Sequence, residues 1–196
     1  PEILMSCGVA AAISAGFHAP IAGIIFAHEA ILRHFSLRAL LPIAVASTIS
    51  AAFGNWAFGG TPLFSLKVNA PELMPLLPAL FISGFVFGTV ALIYMKMIFG
   101  FSSIPAKHNW GYLPFALFAA AITGTSGVFF PEILGLGVDV ILSFITNDLS
   151  LGFVLILLGL KIVLTSLCIG FGIFGGVFSP ALFIGAATGQ FMSNIL

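Results

Sequence analysis

The sequence predicts an all-α integral membrane protein built from broken and tilted helices of unequal length. Of the 196 residues, 60% are hydrophobic and only 6% are charged, and the mean hydropathy is +1.23. A soluble domain carries roughly 25% charged residues, so this composition cannot build a polar surface and the bilayer must solvate much of the chain. The apolar stretches are also interrupted by glycine and proline at membrane depth. We expect about eight helices and no strands.

Charge and cysteine usage exclude several other classes of protein. Six basic and six acidic residues give a net charge of +0, which offers no electrostatic surface for a nucleic acid. Cys7 and Cys168 both lie in apolar surroundings, which favours two buried thiols over a disulfide framework. His18 and His28 have no partner at ligand spacing, so we expect no metal site and no cofactor.

The two ends of the sequence also bear on its organisation. The chain begins with Pro1 and Glu2, without a basic leader, and it stops inside an apolar run at 194–196. We therefore expect an internal part of a longer protein.

In the first half of the chain, short apolar stretches precede a polar loop. The first stretch ends at His18 and Pro20, and the second ends in a charged cluster that contains Arg33 and Arg38. These first two stretches are too short to cross a hydrocarbon core of about 30 Å alone. In order, the predicted segments are three apolar stretches at 3–17, 20–32 and 39–58 and a loop at 59–71.

The second half alternates long and short apolar segments. Glycines interrupt one of them at Gly124 and Gly127, and Pro131 ends it. Broken helices survive in a membrane only where protein or a water-filled cavity satisfies their backbone, and this is typical of transporters and channels. The predicted segments are a long helix at 73–101, a loop at 102–109, apolar stretches at 110–130, 137–146 and 150–169, and a glycine-rich stretch with a helix at 170–196.

The residues from Gly170 to Leu182 carry the strongest chemical signal. Proline is tolerated in the first turn of a helix, so Pro180 predicts a helix N-terminus near 177–179. A helix start presents backbone N–H donors and the positive end of the helix dipole, which together attract an anion without a full positive charge. Partial charges also release an anion readily, as transport requires. Close helix packing by the glycines is the alternative explanation.

Two motifs in this region and near the start resemble a known family. Gly176-Val177-Phe178-Ser179-Pro180 resembles the G-x-F-x-P motif of the CLC chloride channel and transporter family. The run from Phe17 to Glu29 resembles that family's F-N-A-P-L-A-G-x-x-F-x-x-E run, and Lys161 matches the basic residue on the helix before the glycine motif. The order and spacing of these motifs are similar to the family across nearly all 196 residues.

This resemblance implies transmembrane transport of small monovalent anions, with chloride as the substrate. It implies a homodimer in the lipid bilayer of the cell's inner or plasma membrane, with one pore per subunit and an interface near 21–32. It also implies that residues 1–58 end a first inverted repeat, 59–72 form a loop, and 73–196 supply most of the second repeat. The implied anion-binding residues are Gly176, Val177, Phe178, Ser179 and Pro180, with the N–H groups of Val177 and Phe178 on the anion and the Phe178 side chain lining the pore.

The chain also departs from the family pattern. The family's G-S-G-I-P and G-[KR]-E-G-P segments, with the gating glutamate, would precede Pro1, and the pore tyrosine would follow Leu196. Proton-coupled members often carry a second glutamate where this chain has Ala30. This departure favours a channel or an uncoupled carrier, and we expect that chloride flux does not drive proton uptake. Glu29 must face protein or water, and it belongs either to a water or proton path or to a hydrogen bond at the interface.

The sequence also bears on three further sets of polar residues. Lys161, near the middle of its segment, is expected to pair with carbonyl groups or to snorkel rather than to bind an anion. Glu132 and Asp139 are best explained by a solvated turn. The family's asparagine is replaced by His18, to which the sequence assigns no role.

Two other functions remain as alternatives. One is another secondary transporter with broken helices. The other is an intramembrane serine protease, because Gly124-Thr125-Ser126-Gly127 is similar to the G-x-S-G of rhomboid enzymes. Such a serine needs a histidine base on a later helix, and no histidine follows His108, so helix packing explains this motif better.

Overall fold

The computed structural model describes residues 1–59, 73–107, 111–146, 149–173 and 175–195. Every regular element within these ranges is a helix, which confirms the predicted all-α class. The chain divides into two compact units, Pro1–Asn69 and Ala70–Leu196. The α-helices in chain order are α1 (Glu2–Phe17), α2 (Pro20–Phe26), α3 (Leu37–Phe58), α4 (Leu73–Lys107), α5 (Leu113–Phe129), α6 (Val138–Thr146), α7 (Leu151–Gly170) and α8 (Phe178–Ser193).

In the first unit, α1 packs along α3 and α2 lies against both. Ser14 Oγ donates to the Ser47 carbonyl at 2.6 Å, and Ser47 Oγ donates to the Pro20 carbonyl at 2.8 Å. Gly23 of α2 lies so near α1 that an added Cβ would stand 2.6 Å from the Ala10 carbonyl oxygen. Small residues and hydroxyl hydrogen bonds of this kind hold helices together where lipid provides no hydrophobic driving force.

The turn between α1 and α2 depends on His18. This residue ends α1 in the left-handed conformation, with φ 52°. Its ring Nδ1 lies 2.7 Å from Oδ1 of Asn55 in α3. Because a carboxamide oxygen only accepts hydrogen bonds, His18 is the donor. His18 therefore has a structural role, which the sequence alone left open.

In the second unit, α7 packs against α4, α5 and α8, and α6 packs against α8. Phe183 and Leu157 are fully buried in this unit. At the C-terminal end of α7, the Phe171 ring packs edge-on against Phe101 and Phe115, with ring centroids 5.8 and 5.4 Å away. This packing makes α7 the element that positions the segments around it.

Three helices among the described residues are long and apolar enough to cross a membrane, namely Leu37–Ala57, Met74–Lys107 and Leu151–Gly170. Shorter apolar helices accompany them at Glu2–Phe17, Pro20–Leu32 and Leu113–Phe129. The mixture of long and short helices confirms both the unequal lengths and the multi-pass membrane class predicted from the sequence.

The predicted loop at 102–109 is wrong over its described part, because α4 continues to Lys107. Ser103 Oγ donates to the Gly100 carbonyl at 2.7 Å, so the hydroxyl is satisfied inside the helix. Lys107 lies in the last turn, where the helix dipole favours a positive charge. His108 and almost all of the predicted loop at 59–72 lie outside the described residues.

The predicted break in the fifth apolar stretch is also wrong. Helix α5 runs unbroken through Gly124 and Gly127 and ends at Phe129, before Pro131. Glycine lowers helix stability by about 1 kcal/mol but keeps its backbone N–H, so it does not stop a helix that packs well. A Cβ on Gly127 would stand 2.7 Å from Leu134, which supports the packing interpretation of this motif.

The prediction of a solvated turn around Glu132 and Asp139 holds for Asp139 and only partly for Glu132. Asp139 is exposed in the first turn of α6. Glu132 instead belongs to a 3-10 turn, Pro131–Ile133, and is only half exposed. Its Oε2 atom is buried and finds no hydrogen-bond partner among the described residues. The chain folds back here onto α5 and α7, which buries this one carboxylate oxygen.

Candidate functional site

Helix α7 ends in a tight turn at Gly172. This glycine has φ 87°, a left-handed conformation that other residues rarely adopt. Its N–H donates to the Ile169 carbonyl at 3.1 Å, and the N–H of Ile173 donates to the Cys168 carbonyl at 2.9 Å. These two bonds form a Schellman motif, which satisfies the last carbonyl groups of the helix. The chain therefore leaves α7 sharply.

Helix α8 begins a few residues later, at Phe178, with Val177 as its N-terminal cap. Pro180 lies in the first turn, and the Ala181 N–H donates to the Val177 carbonyl at 3.1 Å. Val177 is 47% exposed and Phe178 is 41% exposed. The predicted helix N-terminus near 177–179 is confirmed, and its first two residues are partly exposed.

A cavity of about 320 Å³ lies beside this junction. Its wall comes from α5, α7, the turn after α5, the start of α8, and residues 173 and 175–176, here called the glycine segment. Gly175 and Gly176 contribute backbone to the wall, and none of the described residues lining it is acidic. The polar side chains in the wall are Thr123, Lys161, Thr165 and Cys168.

Lys161 is the charged residue of this cavity wall, and it is only 4% exposed. Its Nζ donates to the Ile133 carbonyl at 2.7 Å and to the Gly135 carbonyl at 3.2 Å. The same atom lies 4.9 Å from the centroid of the Phe183 ring. The prediction that Lys161 pairs with carbonyl groups is therefore confirmed.

The five predicted anion-binding residues lie in different surroundings. Gly176 and Pro180 line the cavity. Val177 and Phe178 form the exposed start of α8. Ser179 Oγ donates to the Leu136 carbonyl at 2.9 Å, so its hydroxyl is engaged with the chain. All five remain predictions as anion ligands.

Glu29 belongs to the first unit and lies in a different pocket. Helix α2 continues there as a π-helix, Ala27–Leu32, a rare form that is frequent at functional sites. Glu29 is exposed and lines a pocket of about 260 Å³ with Arg33 and His34. The neighbouring His28 is buried, and its ring stacks on Phe35 with centroids 4.7 Å apart. Glu29 thus faces open space rather than a hydrophobic core.

Sequence reasoning missed one side of the cavity. Ile133 and Gly135 follow α5 and contact α7 only because the chain folds back, and no local pattern predicts that contact. Thr123 and Cys168 were also missed as a pair, with Thr123 Oγ1 3.2 Å from Cys168 Sγ. Both cysteines are free and half-buried, which corrects the expectation of buried thiols.

The described residues contain no group of three histidine, cysteine or acidic side chains that could hold a metal ion.

The comparisons with known proteins cover the whole chain. Residues 1–196 match a family model described as voltage gated chloride channel. The chain is similar to the H(+)/Cl(-) exchange transporter ClcA of Salmonella paratyphi B (strain ATCC BAA-1250 / SPB7) and of Salmonella newport (strain SL254). Each is 28% identical over an alignment of 195 positions, which covers 95% of this chain and 41% of the relative. The chain thus spans about two fifths of the length of these relatives.

Proposed function

Because the chain belongs to the voltage gated chloride channel family, we propose that the complete gene product moves small monovalent anions, chloride above all, across a membrane. The observation that supports this most is the start of α8. There an exposed helix N-terminus at Phe178 follows a glycine segment that lines a cavity of about 320 Å³.

The chemistry of a helix N-terminus suits an anion that must bind and leave. Backbone N–H groups and the helix dipole supply a partial positive charge of about half an elementary charge. The N–H groups of Val177 and Phe178 coordinate the anion in this proposal, and the missing side chains of Gly175 and Gly176 leave room for it to approach. A buried ammonium in direct contact would hold the anion more tightly than turnover allows.

The proposal extends to assembly and location. The complete protein forms a homodimer with one pore per subunit in the cell's inner or plasma membrane, and Ile21–Leu32 lies near the interface. Ile21 and Ile25 are 72% and 54% exposed, which leaves apolar surface on this segment for a partner or for lipid. Cross-linking of the purified protein in liposomes tests this directly, since a monomer would contradict it.

Glu29 has a separate part in the proposal. Its exposure beside Arg33 and His34 supports a water-filled path on that side of the protein. The relatives are named as H(+)/Cl(-) exchange transporters, whereas this chain has Ala30 after Glu29. We therefore place Glu29 in a water path and propose that chloride movement is not coupled to protons.

Radiotracer chloride efflux from liposomes that contain the complete gene product tests the main proposal. We expect efflux well above that of protein-free liposomes, with thiocyanate or nitrate competing and sulfate not competing. Absence of efflux would contradict the proposal. If cleavage of a membrane peptide appeared instead, and Ser126→Ala abolished it, the protease alternative would replace transport. The comparisons do not favour that alternative or another class of transporter.

A further inference from the structure

The cavity beside the glycine segment is bounded on one side by residues 133–136, here called the return segment. Three hydrogen bonds from two helices hold this segment in place, and two of them come from the buried ammonium group of Lys161. We propose that Lys161 is a positioning residue for the anion site: it fixes the return segment against α7 and α8, and its charge raises the affinity of the cavity for anions. This inference rests on the proposed function.

Three neighbouring groups surround the ammonium group of Lys161. Nζ donates to the carbonyls of Ile133 at 2.7 Å and Gly135 at 3.2 Å, and the face of the Phe183 ring lies 4.9 Å away. An ammonium has three N–H donors and no acceptor, so two carbonyl oxygens and a ring face match it well. Each of these partners accepts from or faces a cation, and none of them carries a negative charge.

The return segment is held at its other end by α8. Ser179 Oγ donates to the Leu136 carbonyl at 2.9 Å. The next residue, Gly137, has φ 68°, and a Cβ there would stand 2.7 Å from the Phe183 ring. Phe183 is fully buried and contacts both this glycine and Lys161. The two helices and the return segment therefore form one connected unit around the start of α8.

The charge itself needs an explanation beyond packing. A lysine within a membrane helix is costly, so it pairs with an acid or with backbone carbonyl groups, and it marks a functional site by default. None of the described residues lining the cavity is acidic. Glu132, next to Ile133 in the chain, has a buried Oε2 with no hydrogen-bond partner among the described residues. Lys161 is therefore the charged side chain in the described part of the cavity wall.

Because the ammonium group of Lys161 already donates to two carbonyl groups, it attracts an anion from a distance and does not bind it directly. Two unit charges about 10 Å apart in an effective dielectric of about 20 interact strongly enough to change an affinity roughly ten-fold. This effect keeps binding weak enough for release while favouring anions over neutral solutes.

The test uses the complete gene product in liposomes, with the half-saturating chloride concentration measured from initial flux and the unfolding temperature measured in detergent. Lys161→Met is expected to raise the half-saturating concentration about ten-fold, which corresponds to about 1.4 kcal/mol. Lys161→Arg keeps the charge and should stay close to the wild-type value. The matched control is Lys96→Met, since Lys96 is an exposed lysine in the membrane-crossing helix α4.

Two further variants separate the charge from the bracing of the return segment. Lys161→Gln keeps a donor for a carbonyl without the charge, and it should weaken chloride binding as Lys161→Met does. Gly137→Ala keeps the charge and strains the end of the return segment, because Gly137 has φ 68° and a Cβ there would stand 2.7 Å from the Phe183 ring. It should lower the unfolding temperature and shift the half-saturating concentration less than Lys161→Gln. If Lys161→Met does not fold, these two variants decide the outcome.

The failure of this inference is distinct from failure of the proposed function. Wild-type protein that moves no chloride would contradict the proposed function. Wild-type protein that does move chloride, with an unchanged half-saturating concentration in Lys161→Gln and a lowered unfolding temperature, would show a purely structural lysine and overturn the inference.

Discussion

Cys168 is a natural reporter for the cavity beside the glycine segment. Its thiol lines the cavity wall and is half-buried, with Thr123 Oγ1 3.2 Å away. A methanethiosulfonate reagent that carries a sulfonate would attach a fixed negative charge there. If the cavity is part of the anion path, chloride efflux should fall more than about ten-fold after labelling, because like charges repel strongly in a low dielectric.

The control for this labelling is Cys168→Ser, which leaves Cys7 as the remaining cysteine of residues 1–196. Efflux from that variant should be insensitive to the reagent. If mass spectrometry shows complete modification of Cys168 and chloride efflux is unchanged, the cavity is not part of the anion path.

At the residue scale, local chemistry was predictable and distant partners were not. Carbonyl partners for Lys161 were predicted because an isolated ammonium in lipid is costly. The identity of those partners, Ile133 and Gly135, depends on a fold-back that no spacing in the sequence encodes. The same holds for His18, whose bond to Asn55 joins residues 37 apart in the chain.

At the scale of elements, the packing of α1, α2 and α3 depends on the missing side chain of Gly23. A Cβ there would stand 2.6 Å from the Ala10 carbonyl oxygen and 3.2 Å from Ser47 Oγ. A backbone carbonyl cannot move aside without shifting α1. Gly23→Ala should therefore destabilise the protein by about 1–3 kcal/mol, as overpacking does, and thermal unfolding in detergent measures this.

Gly16→Ala is the matched control, since it lies in α1 and a Cβ there meets nothing within 4 Å. Alanine should stabilise that helical position by up to about 1 kcal/mol. Equal unfolding temperatures for Gly23→Ala and Gly16→Ala would rule out the close approach of α2 to α1.

Helix ends were predictable where a local signal marks them. The predicted stretches 39–58, 137–146 and 150–169 correspond to α3, α6 and α7, with ends that differ by at most two residues. The loop at 102–109 was wrong because polar residues alone do not end a helix that can satisfy them internally. The two predicted breaks in α5 were wrong because glycine weakens a helix and does not terminate it.

At the scale of the molecule, the long helix α4 constrains how the chain lies in the bilayer. Its 35 residues would extend about 52 Å at about 1.5 Å per residue. The hydrocarbon core is about 30 Å thick, so α4 must tilt or extend beyond it. This length agrees with the predicted tilting of the helices. The chain divides into two compact units, Pro1–Asn69 and Ala70–Leu196. The assignment of residues 1–58 and 73–196 to two inverted repeats remains a prediction.

Coupling to protons is a property of the complete molecule, and Ala30 makes it testable. With alanine after Glu29, a chloride gradient across liposomes should drive no proton uptake, because no second carboxylate follows Glu29 to carry the proton. A pH electrode outside the liposomes measures this during chloride efflux. The Salmonella newport ClcA relative, named as an H(+)/Cl(-) exchange transporter, is the positive control. Proton uptake against a gradient in this protein would refute the prediction.

The central claim is that backbone N–H groups at the start of α8 coordinate chloride. Replacing Phe178 by its α-hydroxy acid, phenyllactate, changes one amide to an ester and deletes that N–H while keeping the side chain. A hydrogen bond to a charged group contributes about 1.5–3 kcal/mol, so the half-saturating chloride concentration should rise at least about ten-fold.

The same ester substitution at Ile184, inside α8, is the control, because it removes a helical hydrogen bond and no proposed ligand. The decisive measurement is therefore the half-saturating chloride concentration of the two ester variants in liposomes. The account predicts a large rise for the ester at Phe178 and the wild-type value for the ester at Ile184. Equal values for both variants and the wild type would contradict it.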